Sequence, residues 1–442
     1  MTLWIKDPLA CLAENAERGL VVDGTKIVEL VAQGKTPQSA VAETFDASQH
    51  VVVPGLINTH HHMYQTLTRS HPEAINKDLF PWLTALYPKW SRITPEAHRL
   101  ATRLALTELL MSGCTTAADH HYVFTRGCEQ AMDIQVEEAR RIGMRMMICR
   151  GSMDLSQKDG GLPPQDVVQD RDTILADCER VLGAYHQRGE GAMIQIALAP
   201  CTPFTASLGL MRETATMAEK HDCRLHTHIA ETHDETDFCL EKFGRRPVDY
   251  LEDAGWMNDR VWLAHGIFFD DAEVGRLGRH GVGVCHCPTS NMVLASGNCR
   301  TRELEQAGAP VGLGVDGSSS NDSSNLIEAV RHAMMINRLT YDASITHLDA
   351  LRWATAGSAR CIGRTDIGRI APGLQADLAL FKLDELRFSG AKDPLAAIVL
   401  SGAHRADRVM IAGAWRVTDS TPVGVDVDAL RVEHSRVAKA FL

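Results

Sequence analysis

Eight short apolar runs, each followed by a helix-length segment, constrain this chain more than any other feature of its sequence. The runs occupy residues 51–59, 114–119, 144–150, 193–199, 223–227, 261–264, 282–285 and 310–315. Residues 97–111 and 167–184 are typical of the intervening segments, with apolar positions at helical spacing. Strands buried on both faces read as near-continuous apolar runs, and their alternation with helices defines βαβ units. Eight such units predict an α/β fold, a (β/α)8 TIM barrel over residues 52–370, with a doubly wound open sheet as the alternative.

Shorter β-type runs lie outside this region, at 19–24 and 26–31 near the start and at 377–381 and 408–417 near the end. They predict a small composite β-sandwich formed from residues 1–51 and 371–442. A chain of 442 residues is long enough for one large barrel and such an accessory unit.

A barrel places its chemistry at the C-terminal ends of its strands. Five of the eight runs end in residues able to bind a metal or move a proton: His60 and His62, Asp119 and His120, His228, His265, and Asp316. Alternate residues of a strand share a face, so His60 and His62 can point inward together while His61 points away. Imidazoles so spaced suit one borderline divalent metal. His226 and His228 repeat the spacing, and His228, nearer the strand end, is the better placed ligand. Glu231 follows three residues later, close enough to share the pocket. Its alternative role is a carboxylate at the positive end of a helix.

His265 sits between an apolar run and Gly266, facing the pocket rather than the core. Asp316 can bind metal through one oxygen and take a proton with the other. The string Gly312-Leu313-Gly314-Val315-Asp316-Gly317 has the spacing of a dinucleotide fingerprint. Its first glycines lie within the run, however, and a serine tract follows where a helix should open, so that reading is rejected.

A net charge of −11 disfavours phosphate backbones and anionic lipid, so neither nucleic acid nor membrane is expected as a partner. Residues 1–20 lack the apolar stretch of a signal peptide. The 12 cysteines include no CxxC pair, which points to reduced thiols and a cytoplasmic protein. Cys285 and Cys287 flank His286 as strand alternation would place them, not as metal ligands.

These residues resemble the amidohydrolase superfamily. The marks are Pro54-Gly55-Leu56-Ile57-Asn58-Thr59-His60-His61-His62, the His226-to-Glu231 string, His265-Gly266, the His286-to-Asn291 string and Gly314-Val315-Asp316-Gly317; residues 368–377 are similar to the point where that family's sandwich resumes. Within it the chain is similar to the branch of cytosine, guanine and S-adenosylhomocysteine deaminases and triazine hydrolases. Binuclear members carry a carbamylated lysine after the fourth strand. Pro200, Cys201 and Thr202 stand there instead, which implies one divalent ion, zinc or in some members iron.

The resemblance implies His60, His62, His228 and Asp316 as metal ligands and Glu231, His265 and Asp316 as catalytic residues. Asp316 would accept a proton from water, His265 would orient that water, and Glu231 would protonate a ring nitrogen. Several relatives have His at the position of Cys201 and Glu at that of Trp90, where the Glu serves a ribose. Trp90 therefore implies a free base stacked on an aromatic surface, with Gln65 and Cys201 as further substrate contacts. The expected reaction is zinc-dependent hydrolytic deamination of an oxidised purine by a homo-oligomer. Other amino- or chloro-substituted heterocycles are the alternative, and a non-catalytic metal-binding barrel is the third reading.

Overall fold

The computed structural model describes residues 2–442. Eight parallel strands close into a barrel: β1 (Leu56–Asn58), β2 (Cys114–His121), β3 (Arg145–Ser152), β4 (Ile194–Pro200), β5 (Arg224–Ile229), β6 (Val261–His265), β7 (Gly283–His286) and β8 (Val311–Leu313). The apolar runs thus become the strands, with helices between them. The helix Pro95–Met111 begins two residues before the periodicity predicts, because Thr94 caps it by accepting from the Ala97 amide and Pro95 suits the first turn.

The seam of the barrel is where Leu313 pairs with Asn58. Just beyond it, a Cβ on Gly314 would lie 2.8 Å from the His60 Cβ and 3.0 Å from its backbone nitrogen. Only glycine lets the last strand pass this close to the first, beside the candidate ligands.

The run 51–59 is not one strand. His50–Pro54 pairs antiparallel with Leu378–Lys382 in the accessory unit, and only Leu56–Asn58 joins the barrel. The break falls at Pro54, which has no amide hydrogen, and at Gly55, whose amide donates to Asp377 O at 2.8 Å. A Cβ at Gly55 would overlap the Thr115 side chain, so the chain turns there between two sheets.

The accessory unit is composite, as expected. One sheet contains Lys26–Leu30, Gly19–Asp23, Thr2–Lys6 and Glu43–Asp46, all from the start of the chain. The other joins Ala10–Cys11 and His50–Pro54, side by side at one edge, to four strands from the end. Ile5, Leu20, Val52, Leu378 and Met410 fill the space between them. The final helix, Val427–Ala438, does not join these sheets. It lies against Pro95–Met111 and the 3-10 turn Met63–Thr68, where His434 Nε2 is 3.0 Å from Thr66 Oγ1.

A buried ion pair ties the sandwich to the barrel. Arg145 donates to both oxygens of Asp377, Nε at 2.9 Å and Nη2 at 3.1 Å, and caps the Gly191 and Ala192 carbonyls with Nη1. Asp377 Oδ1 also accepts from the Ala412 amide. Arg145→Met would leave the carboxylate buried without its counter-charge. Urea unfolding is expected to show a loss of about 3–5 kcal/mol, against little change for an exposed pair such as Arg431 with Asp428. Among the described residues no cysteine is in a disulfide, and no helix is long and apolar enough to cross a membrane.

Candidate active site

The pleat of β1 and the turn after it bring His60 and His62 to the C-terminal mouth of the barrel, and β5 delivers His228 opposite them. His62 Nε2 lies 3.0 Å from His228 Nε2. Asp316, just beyond β8, places Oδ1 3.3 Å from His60 Nε2 and 3.2 Å from His62 Nε2. All four predicted ligands therefore meet in one place.

Hydrogen bonding on the far side of each ring determines what faces inward. His62 Nδ1 is 2.7 Å from His120 O, and His228 Nδ1 is 2.7 Å from Cys201 O. A carbonyl only accepts, so in both rings Nδ1 carries the proton and Nε2 presents a lone pair. His60 Nε2 is buried with no hydrogen-bond partner. Three imidazole lone pairs and a carboxylate converging in a buried site repel one another unless a cation stands among them. The ligand atoms of His60, His62 and His228 lie within 4.8 Å of one another, as do those of His60, His265 and Asp316. This donor set fits one divalent metal ion.

The residues expected to move protons sit beside it. Glu231 Oε2 is 3.4 Å from His265 Nε2. Burial pushes the Glu231 carboxyl well above its ordinary range, and the Asp316 charge adds to the effect. Burial pushes Asp316 the same way, yet the His60 and His62 rings hold it well below the usual range. Two carboxyls in one pocket are thus pushed in opposite directions, the pattern that suits one to act as acid and the other as base. The backbone is strained here, with φ of 52° at Ala230, 73° at His265 and 63° at Asp316.

Two positioning residues, Ser290 and Asn291, carried no role in the sequence reading. Ser290 Oγ donates to Asp316 Oδ2 at 2.6 Å, and Asn291 Oδ1 faces His265 Nδ1 at 3.1 Å. Their only signal was a place just past β7, in the string that also marks the family. Asp119 accepts from the Met63 amide and holds the turn after His62, and His120 stacks on His228 at 4.8 Å. Neither enters the set of four.

A partly open cavity lies above these groups. Gln65 and Cys201 line it; Gln65 Oε1 also accepts from the Ser319 amide. Trp90 does not line it. It is fully buried one layer behind, donating from Nε1 to Thr68 Oγ1 and packed edge-on against Tyr64 and Trp82. The aromatic wall expected from Trp90 is supplied by Trp82, Tyr87 and Phe204. Both tryptophans belong to the helix Leu79–Trp90, and eight residues turn a helix by some 80° at about 100° per residue. That is enough to move a side chain from the cavity to the core behind it.

A closed parallel barrel whose mouth gathers three imidazoles and two buried carboxyls has the architecture of a metal-dependent hydrolase. The chain belongs to the amidohydrolase family, whose model matches residues 51–416. Over its whole length it is similar to the 8-oxoguanine deaminase of Pseudomonas aeruginosa, with 59% identity covering 99% of each chain. It is 34% identical to an isoxanthopterin deaminase from an unknown prokaryotic organism, covering 90% of this chain and 87% of that one. Among solved structures it is similar to the atrazine chlorohydrolase of Arthrobacter aurescens TC1 complexed with zinc, at 29% identity, a TM-score of 0.92 and 99% coverage of both.

Proposed function

We propose that this protein hydrolyses 8-oxoguanine to urate and ammonia, with one zinc ion held by His60, His62, His228 and Asp316. The observation that carries the substrate is 59% identity, over 99% of each chain, to an 8-oxoguanine deaminase. Zinc is favoured over iron by the zinc in the similar chlorohydrolase.

Bound there, the ion supplies Lewis acidity and makes water a stronger acid near neutral pH. Asp316 takes a proton from the attacking water while its other contacts, Ser290 above all, keep the carboxylate aimed. His265, turned by Asn291, orients that water. Glu231, held protonated by burial, gives its proton to the ring nitrogen beside the carbon bearing the amino group. As the C–N bond breaks, Asp316 passes its proton to the departing amine and the new hydroxyl returns one to Glu231, leaving the carbonyl of urate. Gln65 is placed to bond the edge of the base and Cys201 to contact its rim, with Trp82 and Phe204 as walls for its faces.

The test is release of ammonia and urate by the metal-analysed protein across 8-oxoguanine, guanine, isoxanthopterin, isocytosine and an aminotriazine. The highest kcat/KM is expected on 8-oxoguanine, with one equivalent of zinc per chain. A higher value on any other member overturns the substrate, and a protein active only with iron overturns the metal.

A further inference from the structure

His226 precedes the candidate ligand His228 by two residues and belongs to the same string, yet the reading above gives it no task. Its ring is fully buried and stacked on the indole of Trp262, with centroids 4.3 Å apart and planes inclined by 14°. Each nitrogen has one polar partner. Nδ1 lies 2.8 Å from Trp262 O, and Nε2 lies 2.8 Å from His60 Nδ1.

Those two contacts leave one arrangement of protons. The Trp262 carbonyl only accepts, so His226 Nδ1 carries its hydrogen and Nε2 is a bare lone pair. His60 must then donate from Nδ1, which leaves His60 Nε2 free to face His62 and Asp316. The other two rings reach backbone carbonyls directly, His62 at His120 and His228 at Cys201. His60 reaches one only through His226. The relay is anchored again at its base, because Trp262 Nε1 donates to Thr59 O at 3.0 Å, next to His60 in the chain.

We propose that His226 is a positioning residue of the metal site, a relay that carries the Trp262 carbonyl to His60 and thereby sets the tautomer and tilt of that ligand. The inference rests on the reading of His60 as a ligand. A competing arrangement makes His226 a ligand itself, since its nitrogens, those of His60 and those of His120 include a set within 4.8 Å. Against it, the Nε2 lone pair is already taken up by His60 Nδ1.

Chelator competition and metal equivalents per chain, measured on the full-length protein with zinc, decide the matter. His226→Asn can still bond Trp262 O but is too short to reach His60. His226→Gln can donate to one and accept from the other, and His226→Leu does neither. Loosening a group that orients a metal-bound imidazole costs about 10–100-fold in metal affinity. The Asn and Leu variants are therefore expected to lose zinc 10–100-fold more readily than the parent, and Gln to stay within a few-fold of it. Should the Leu variant fail to fold, the Asn and Gln pair still decides.

Parent-like affinity in the Asn variant overturns the relay if His60→Ala abolishes binding. If His60→Ala also binds like the parent, the ligand reading itself has failed. Two equivalents of zinc in the parent, falling to one in the His226 variants, overturn the relay by making His226 a ligand.

Discussion

Glu231→Gln is expected to bind zinc as the parent does and to lose about 10²–10⁴-fold in kcat. The carboxyl is buried, stands 3.4 Å from His265 and belongs to none of the three His/Asp groupings able to hold the ion. Glutamine preserves its size and its hydrogen bond to a ring nitrogen but has no acidic proton to transfer. KM on 8-oxoguanine should therefore change much less than kcat. The measurement is steady-state ammonia release alongside metal content. A zinc-loaded variant with parental kcat would remove Glu231 from the role of acid.

Asp316→Asn is expected to have a larger and different effect, because that residue does two things at once. Oδ1 faces the His60 and His62 nitrogens, so an amide in its place takes away the negative charge that offsets the ion. Oδ2 accepts from Ser290 at 2.6 Å, and an amide nitrogen turned to that side would set donor against donor. Proton acceptance is lost as well. Activity should fall by about 10⁴-fold or more, combining a general-base loss with weaker electrostatic stabilisation, and zinc should be released at lower chelator concentration.

The fold should survive, since φ of 63° at this position is tolerated by asparagine as well as aspartate. Circular dichroism and the unfolding midpoint separate this from misfolding. Asp316→Asn with parental zinc affinity and only a tenfold rate loss would exclude Asp316 from both tasks.

The two variants differ in a way that follows from geometry. Glu231 lies outside the set of groups that bind the ion, so its loss is read in rate alone. Asp316 belongs to that set, so its loss is read in rate and in metal affinity together. His226→Asn completes the series, with an expected loss of affinity from a residue that touches neither substrate nor ion.

What could be read without the structure follows from the two-sided burial of parallel strands. Each barrel strand is walled by helices outside and by the barrel interior within, so its sequence is apolar almost throughout and its polar residues collect at the C-terminal end. That is why eight runs foretold eight strands, and why the residues ending them included His60, His62, His228, His265 and Asp316. The composite sandwich was legible for a related reason, in short β-type runs bounded by turn residues at both chain ends.

Residues whose partners lie far away in sequence were not legible. Pro54 and Gly55 divide one apolar run between two sheets because Leu378–Lys382 waits to pair with the first half. The helix Val427–Ala438 crosses to the barrel because a surface on Pro95–Met111 receives it. Trp82 rather than Trp90 faces the cavity because of how their helix is rolled against Tyr64.

The chemistry of the site divides the same way. The sequence alone determined which residue types converge at the mouth of the barrel, since strand period and strand end are local properties. Only the tertiary structure decided which nitrogen of each imidazole faces inward. A histidine tautomer depends on the acceptor behind the ring, and for His60, His62 and His228 those acceptors come from other strands.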